Sequence, residues 1–519
     1  MTEYRIFWHD YRYFPYERSL ALREVAQLAG QEPRPFENGV VVAVDACLER
    51  LKRLTYFKGI QAGSTSTIPN QAKLEASSLV NGQTWRPGDQ QFPQLRRQST
   101  RYSAHGLHEY KGKFHPQIVR AIGNLAGIEP GAYVLDPFCG SGTTLLEAAH
   151  IGWNAMGMDV NPLAVLIANS KIIAFNTPAA VLSRECESLT RRLTSSREVA
   201  DWRKHLPEPD YLQKWFPLAV LPQLYAILKA INEVQPRSLQ NVFRIVLSDI
   251  CRDVSLQDPN DLRIRRRKDP ADNYPAIEMF LDSLSTKVSS IIRAKQYVEG
   301  TKTTQQLAIQ ADTRDAASAA AGFLKRKQIK TFDAAITSPP YATAMPYLDT
   351  QRLSLALLGL LGSQDLRNGE RQLIGNREIQ EKERLNLEHQ LRTNTARLPD
   401  EVIQFCGKLL TLANDETHGF RRRNVPALAY KYFSDMSSMF QSVRQILKSG
   451  GTYALLVGRN STRLKGEQVS IDTPRLLAII AESVGWHIKE MLPFETYQRY
   501  DVHQSNSIRE EMLVVLRSQ

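Results

Sequence analysis

Apolar and polar positions follow a strand, turn, helix, strand order in the middle of the chain. The apolar run YVLD (133–136) leads into the glycine-rich PFCGSG, the helical segment TTLLEAAHI and a second apolar run, AMGMD, which ends at Asp159. Parallel neighbouring strands need a crossover helix, so this alternation predicts a parallel sheet covered by helices. A further helix is predicted after Pro162, in PLAVLIANSKII.

Five more apolar runs predict strands later in the chain. They are LAIQAD (307–312), FDAAIT (332–337), TYALLVG (452–458), WHIKEMLPF (486–494) and EMLVVLRS (511–518). With the runs that begin at Tyr133 and Ala155, they make seven strands. We therefore predict an α/β fold built on one seven-stranded, mostly parallel sheet.

The rest of the chain divides around this core. Residues 1–100 predict a small α/β unit, with a helix over 17–27 and a strand over 40–44, followed by an exposed polar connection from about residue 61. Two segments break the alternation and are interpreted as insertions, a mostly helical one over 176–305 and a charged helical one over 360–425. The core itself is expected over 101–175, 306–359 and 426–519.

Composition narrows the class of protein. The 519 residues are 42% hydrophobic and 23% charged, as in soluble globular proteins, and no apolar run approaches the roughly 18 residues of a membrane span. The first residues carry charge throughout and lack the apolar centre of a secretory signal. The five cysteines include no CxxC pair. We therefore predict reduced thiols, no metal site and a cytoplasmic protein that is not bound to a membrane.

The motif DPFCGSGT (136–143) lies at the turn between the first predicted strand and its helix. A glycine turn lets the backbone approach a bound cofactor closely, and we expect Gly140 and Gly142 to lack side chains for this reason. The helix that begins at Thr143 offers free N–H groups to negative charge. Asp159 follows roughly 20 residues later, where an acidic side chain either binds ribose hydroxyls or caps the next helix.

Asp312 ends the next predicted strand. A carboxylate at that edge of the sheet can accept the exocyclic amine of an adenine. An ordinary turn aspartate is the alternative interpretation of Asp312.

The second motif is TSPPY (337–341), after the predicted strand FDAAI. Prolines donate no hydrogen bond and have a fixed φ, so the carbonyl groups of Ser338 and Pro339 are expected to point out of the strand end as acceptors. An amino group placed there can donate one hydrogen to a carbonyl and one to the Ser338 hydroxyl. Tyr341 offers a flat face on which a base turned out of a helix can stack. A Pro-Pro turn that only ends a strand is the alternative.

Together these two motifs resemble those of the amino methyltransferases of restriction-modification type. SPPY in place of DPPY or NPPY resembles the branch that methylates cytosine at its N4 amine. Upstream, GKFHPQIVRAI (112–122) resembles the segment that this family places before the glycine motif. The resemblance implies a Rossmann-like fold and S-adenosyl-L-methionine as cofactor.

The resemblance also implies site residues. The catalytic ones are Ser338, Pro339, Pro340 and Tyr341. The cofactor-binding ones are Phe114, His115, Pro116, Asp136, Phe138, Gly140, Gly142, Thr143, Asp159 and Asp312. Of these, Phe114, His115 and Pro116 are expected near the cofactor carboxylate, with Pro116 at the first position of a helix. His115 as a hydrogen-bonded structural histidine is the alternative.

The implied activity is methyl transfer to the N4 amine of a flipped cytosine in DNA by direct displacement. Restriction-modification or defence is the expected context, with companion restriction or defence proteins as partners. A net charge of +12 favours a polyanionic partner. The basic clusters 263–268 and 421–423 are candidate phosphate contacts, unless they are only solvated faces. Site recognition is expected from residues 1–100 or from the insertions, with 176–305 as the first candidate.

Three other activities stay open. They are an adenine-N6 DNA methyltransferase, an RNA methyltransferase of the guanosine-N2 type, and a nucleic-acid-binding protein with an inactive methyltransferase fold. Methylation at carbon 5 of cytosine is disfavoured, because it needs a cysteine nucleophile in a Pro-Cys dipeptide and the sequence contains none.

Overall fold

A computed structural model of the chain describes residues 1–45, 47–78, 95, 98–195, 201–259, 261, 265–297, 304–342, 347–362, 364–376, 379–413, 419–495 and 510–519. The N-terminal unit is an antiparallel sheet of five strands in the order β2-β3-β1-β4-β5. Its elements are β1 Thr2–Trp8, α1 Pro15–Ala29, β2 Arg34–Phe36, β3 Gly39–Val44, α2 Leu48–Leu51, β4 Phe57–Ala62, β5 Thr65–Thr67 and α3 Asn70–Ala76.

The predicted exposed connection from residue 61 onwards is wrong for the part that the structure describes before residue 79. Strand β5 and helix α3 occupy it, and Gln71 and Glu75 of α3 are buried. The Glu75 carboxylate accepts hydrogen bonds from Gln71 at 2.7 Å and Gln117 at 3.0 Å. Polar composition therefore did not indicate exposure, because these polar groups pair with one another. Residues 79–94 lie outside the described residues.

The main sheet has seven described strands in the order β13-β14-β10-β9-β6-β7-β8. Strand β14 is antiparallel to both of its neighbours, and the other pairings are parallel. The order β8-β7-β6-β9-β10 is the 3-2-1-4-5 order of a Rossmann fold, so the predicted fold is confirmed. The strands are β6 Tyr133–Asp136, β7 Asn154–Asp159, β8 Gln306–Gln310, β9 Phe332–Thr337, β10 Leu447–Gly458, β13 Trp486–Glu495 and β14 Glu510–Ser518. A separate hairpin that the sequence did not predict joins β11 Asn460–Leu464 to β12 Glu467–Ile471.

Helices cover both faces of this sheet. The sheet lies between two apolar cores, one on each face. Neighbouring strand residues point to opposite faces, so Val134 lies in one core and Leu135 in the other. The first core is covered by α4 Pro116–Leu125, α5 Thr143–Ile151 and α6 Pro162–Asn176. The second is covered by α12 Ala316–Lys327, α19 Val425–Ile446 and α20 Thr473–Ser483.

Both predicted insertions are helical, and both extend these layers. The first contains α7 Ala179–Ser195, α8 Pro209–Trp215, α9 Leu221–Asn232, α10 Arg237–Ile250 and α11 Ala276–Lys295, whose buried side chains belong to the first core. The second contains α13 Tyr347–Thr350, α14 Arg352–Leu357, α15 Leu366–Gln372, α16 Glu381–Thr393, α17 Asp400–Ala413 and α18 Phe420–Arg423. Within it, α16 and α17 pack on α19.

Among the described helices, none is by itself long and apolar enough to cross a membrane. The pair α6 and α7 meets the length and composition criteria only when taken together, and it bends by 115° at the junction.

Two helical glycines provide a matched test of the packing under α4. A Cβ atom on Gly123 would lie 2.0 Å from the fully buried Trp153 ring, whereas one on Gly322 of α12 would meet nothing within 4 Å. Gly123→Ala is expected to lower the free energy of unfolding by about 1 to 3 kcal/mol, the usual range for overpacking. Gly322→Ala is expected to raise it by about 0.5 to 1 kcal/mol, since alanine favours a helix. Urea unfolding of both variants measures the change in the free energy of unfolding. Equal changes would contradict the close contact between Gly123 and Trp153.

Candidate active site

A cavity opens at the carboxyl edge of the sheet, where β6 and β9 are neighbours. Helix α5, which follows β6, and helix α19, which leads into β10, cover opposite faces of the sheet, which leaves a crevice between them. Both sequence motifs line this cavity because each lies at the end of one of the two strands. The predicted residues in its lining are Phe138, Gly140, Asp159, Asp312, Ser338, Pro339, Pro340 and Tyr341.

The two motif glycines are required for different reasons. Both have positive φ, +48° for Gly140 and +78° for Gly142. Gly140 lines the cavity opposite Tyr110, whose ring would lie 3.4 Å from an added Cβ. At Gly142 the Cβ would lie 2.7 Å from that of Ala168, so this glycine lets α5 approach α6. The expectation of close backbone approach to a cofactor therefore fits Gly140, while Gly142 and the buried Thr143 lie outside the lining.

Asp136 is fully buried behind the cavity and joins the two motifs. Its Oδ1 accepts the Thr337 hydroxyl at 2.6 Å and the Phe138 backbone N–H at 3.1 Å. Burial raises the pKa of Asp136 to about 6. This carboxylate does not line the cavity, and its position suits holding the glycine turn against the end of β9.

Asp159 lies in the cavity wall at the end of β7. Its Oδ2 accepts the Gly140 N–H at 3.0 Å and its Oδ1 accepts the Asn161 N–H at 2.8 Å. Asn161, not Asp159, caps α6, because its side-chain oxygen accepts the Leu163 N–H at 3.0 Å. Burial raises the pKa of Asp159 to about 6. The carboxylate keeps lone pairs with which it can accept hydroxyl groups.

Asp312 lies in the same wall and is held by an arginine. Both of its oxygens accept the Arg314 Nε–H at 2.9 Å, and the Arg314 backbone N–H also donates to Oδ1 at 3.0 Å. Arg314 reaches Asp435 of α19 at 3.0 Å and the Gln372 carbonyl at 3.1 Å. Partial burial would raise the pKa of Asp312, but the hydrogen bonds from Arg314 outweigh it and lower that pKa.

Hydrogen bonds from three neighbouring elements fix the SPPY motif. The Ser338 hydroxyl donates to the Leu456 carbonyl of β10 at 3.1 Å. The Tyr341 hydroxyl donates to Glu511 of β14 at 2.9 Å. The Pro340 carbonyl accepts the hydroxyl of the buried Tyr432 of α19 at 3.0 Å.

The segment before α4 contributes different residues from those predicted. Pro116 is the first residue of α4, as expected, but the cavity lining contains Tyr110 and Gly112 and not Phe114, His115 or Pro116. The chain turns away from the cavity as α4 begins, so the residues that line it are Gly112, the first residue of the resembling stretch, and Tyr110, two residues earlier. The EYKG sequence (109–112), with an aromatic residue and a glycine, was the available signal.

The first insertion holds the segment before α4 in place. Asp249 of α10 accepts the Glu109 backbone N–H at 2.6 Å, and His108 hydrogen-bonds Ser248 at 2.9 Å. From the second insertion, Gln372, Leu373 and Ile374 enter the cavity lining. No sequence signal marked these contributions, because they depend on contacts between residues far apart in the chain.

A buried polar brace lies behind the glycine motif, at the far end of α5. Glu147 Oε1 accepts hydrogen bonds from His105 at 2.7 Å, His150 at 2.9 Å and Tyr102 at 2.9 Å, and its other oxygen pairs with Arg120. Burial lowers the pKa of both histidines, so both rings are neutral at neutral pH. These two rings and the carboxylate are close enough to share a metal ion, but Oε1 already accepts three hydrogen bonds.

Comparison with known families identifies the kind of domain. The family model described as "RMKL-like, methyltransferase domain" matches residues 107–188, which include the segment before α4, the glycine motif and Asp159. The chain carries a methyltransferase domain. Its cofactor is S-adenosylmethionine, as expected.

Similar proteins include type II methyltransferases and a tRNA methyltransferase. The type II methyltransferase M.BsoBI of Geobacillus stearothermophilus is 24% identical over 74% of this chain and 79% of its own. The type II methyltransferase M.MvaI of Kocuria varians is 29% identical over 32% of this chain and 38% of its own. A tRNA (guanine(10)-N2)-dimethyltransferase of Methanothermobacter thermautotrophicus is 40% identical over 10% of this chain and 16% of its own. These relatives confirm the predicted resemblance to amino methyltransferases of restriction-modification type.

The residues of the cavity fit S-adenosylmethionine. The absent side chain at Gly140 leaves a cradle against Tyr110, and Asp159 presents a carboxylate that suits ribose hydroxyls. Asp312 and Arg314 lie at the end of β8, next to β7. When bound, the cofactor supplies an electrophilic methyl group.

We predict that the Asp159 carboxylate makes cofactor affinity depend on pH. Ribose hydroxyls donate to the ionised form, so affinity is expected to fall as the pH drops through about 6, the pKa of Asp159 in the free protein. At neutral pH, Asp159→Ala should cost about 1.5 to 3 kcal/mol of binding free energy. Calorimetric titration with S-adenosylmethionine across this pH range, with Asp159→Asn as the non-ionising control, measures both effects. If Asp159→Asn shows the same fall, another carboxyl such as Asp136 is responsible.

Proposed function

We propose that this chain transfers a methyl group from S-adenosylmethionine to the N4 amine of a cytosine in DNA, within a restriction-modification or defence system. The observation that carries the proposal is the orientation of the Ser338 side chain. Its hydroxyl proton is used on the Leu456 carbonyl, so its oxygen is left as an acceptor at the cavity wall. The names of the type II relatives support the same class of substrate.

The SPPY motif then provides two acceptors for an amino group. The Pro340 carbonyl accepts the Tyr432 hydroxyl. The acceptors for the substrate are therefore Ser338 Oγ and the carbonyl groups of Ser338 and Pro339. An amine that donates both hydrogens to such acceptors directs its lone pair away from them, toward the cofactor side of the cavity. The base reacts by direct displacement, with its reacting atoms held in one geometry.

Tyr341 suits the capture of an extruded base. It lies in the cavity lining with Ser338, and its hydroxyl is anchored at Glu511. An aromatic ring held at one end offers its face for stacking on a base that has left the duplex. We assign Tyr341 to base capture and Ser338 to amine recognition.

The two basic clusters differ in how well they suit phosphate contact. In the first, Arg267 donates to the carbonyl groups of Gln257, Arg252 and Asp253 and so braces its own loop. Arg266 donates to the carbonyl of Lys214 and joins this loop to α8. Arg263 lies outside the described residues. The second cluster, 421–423, is exposed on the short helix α18, beside a half-exposed Phe420. We therefore place the stronger phosphate contact at 421–423.

Two related activities are the alternatives. An adenine-N6 amine would meet the same acceptors, and the short match to a tRNA guanine-N2 enzyme favours an RNA substrate as the second candidate. Mass spectrometry of nucleosides from DNA and RNA treated with the protein distinguishes the three products. N4-methylcytosine in DNA is expected, and N6-methyladenine or a methylated guanosine in RNA would overturn the proposal in favour of that activity.

Ser338→Ala tests the role of the hydroxyl. Methyl transfer in a single turnover should slow by at least about tenfold, since the amine loses one acceptor, while cofactor affinity stays unchanged. Ser483→Ala is the matched control, because Ser483 also donates to a backbone carbonyl but lies at the end of α20. A Ser338→Ala protein that methylates at the wild-type rate would reduce SPPY to a strand-ending turn.

Neutralising the second basic cluster tests the DNA surface. Arg422→Gln with Arg423→Gln should weaken duplex binding and reduce the slope of log affinity against log salt by about one to two. Lys325→Gln with Arg326→Gln removes the same charge from the exposed end of α12, next to the amino edge of the sheet, and should leave the slope nearly unchanged. Equal slopes for the two double variants would show that 421–423 is a solvated face.

A further inference from the structure

Glu511 is a half-buried carboxylate at the start of β14. It belongs to none of the sequence motifs. It lies opposite Gly458 of β10 on one side and Phe494 of β13 on the other. Its Oε1 accepts the Tyr341 hydroxyl at 2.9 Å. The antiparallel direction of β14 places this side chain beside the carboxyl edge of the parallel strands, where SPPY ends.

The strand that carries Glu511 is supported from the N-terminal unit. Phe494, the cross-strand partner of Glu511, is buried and stacks on Tyr16 of α1 with ring centroids 4.4 Å apart and planes within 7°. Helix α1 also packs along α4 and β13. A continuous row of side chains therefore runs from Tyr341 through Glu511 and Phe494 to Tyr16.

We propose that Glu511 is a positioning residue that sets the ring of Tyr341 for capture of the target base, and that the N-terminal unit stabilises it through Phe494 and Tyr16. This inference rests on the proposed function. A tyrosine ring fixed only at its Cβ can turn about two side-chain torsions, and a hydrogen bond at its far end removes that freedom. Glu511 acts through the Tyr341 hydroxyl and does not touch the reacting atoms.

The first measurement follows the ring itself and needs no substrate. Fluorine NMR of the full chain labelled with fluorotyrosine gives the Tyr341 resonance by its loss in Tyr341→Phe. This resonance should shift or broaden in Glu511→Ala and return toward its original position in Glu511→Gln, whose amide oxygen still accepts the hydroxyl. Glu495→Gln, at an exposed carboxylate beside Phe494, is the control that should change nothing. An unchanged resonance in Glu511→Ala overturns the proposal.

The second measurement is single-turnover methylation of DNA by the same variants. Glu511→Ala and Tyr341→Phe should each reduce the rate by about 3- to 10-fold, the effect of one lost hydrogen bond, with cofactor affinity preserved. The double variant should be no slower than either single one, because both changes remove one interaction. Additive losses, or a wild-type rate in Glu511→Ala, overturn the proposal while the proposed function stands. If the wild-type protein methylates no DNA, the proposed function fails and base capture fails with it.

Discussion

The hydrogen bond from Thr337 to Asp136 joins the two halves of the site. Thr337 is the last residue of β9 and Asp136 the last of β6, and both side chains are buried at the crevice between α5 and α19. The same carboxylate holds the Phe138 N–H and so fixes the start of the glycine turn. A methyl donor and its acceptor must approach each other closely, and this hydrogen bond fixes the positions of the two motifs relative to each other.

Most of the fold could be predicted because its signals are local. Every strand of the main sheet follows from an apolar run, and each of the two motifs lies at the end of a strand, where a Rossmann order brings such turns together. The roles of single residues were less accessible. Gly142 has the same positive φ as a ligand-binding glycine, yet its constraint is the contact with Ala168, a residue on the next helix. Such a contact has no sequence signature.

The remaining parts of the site could not be predicted because they come from distant segments. Tyr432 at Pro340, Arg314 between Asp312 and Asp435, and Glu511 at Tyr341 are each brought in by packing of the helices and strands around the crevice. Composition misled where polar groups satisfy one another, as in helix α3. In each case a long-range pair decides the outcome, and a single sequence contains no direct record of such pairs.

Helix α10 accepts a hydrogen bond from the Glu109 backbone and so limits which parts of the first insertion can be replaced. A segment that only contacts the substrate could be exchanged between relatives without loss of activity. The first insertion cannot be exchanged freely, because its Asp249 and Ser248 hold the residues next to Tyr110 and Gly112 in the cavity wall. Sequence changes in residues 176–305 are therefore constrained at this end of α10 and are freer in the parts of the insertion that do not contact His108 or Glu109.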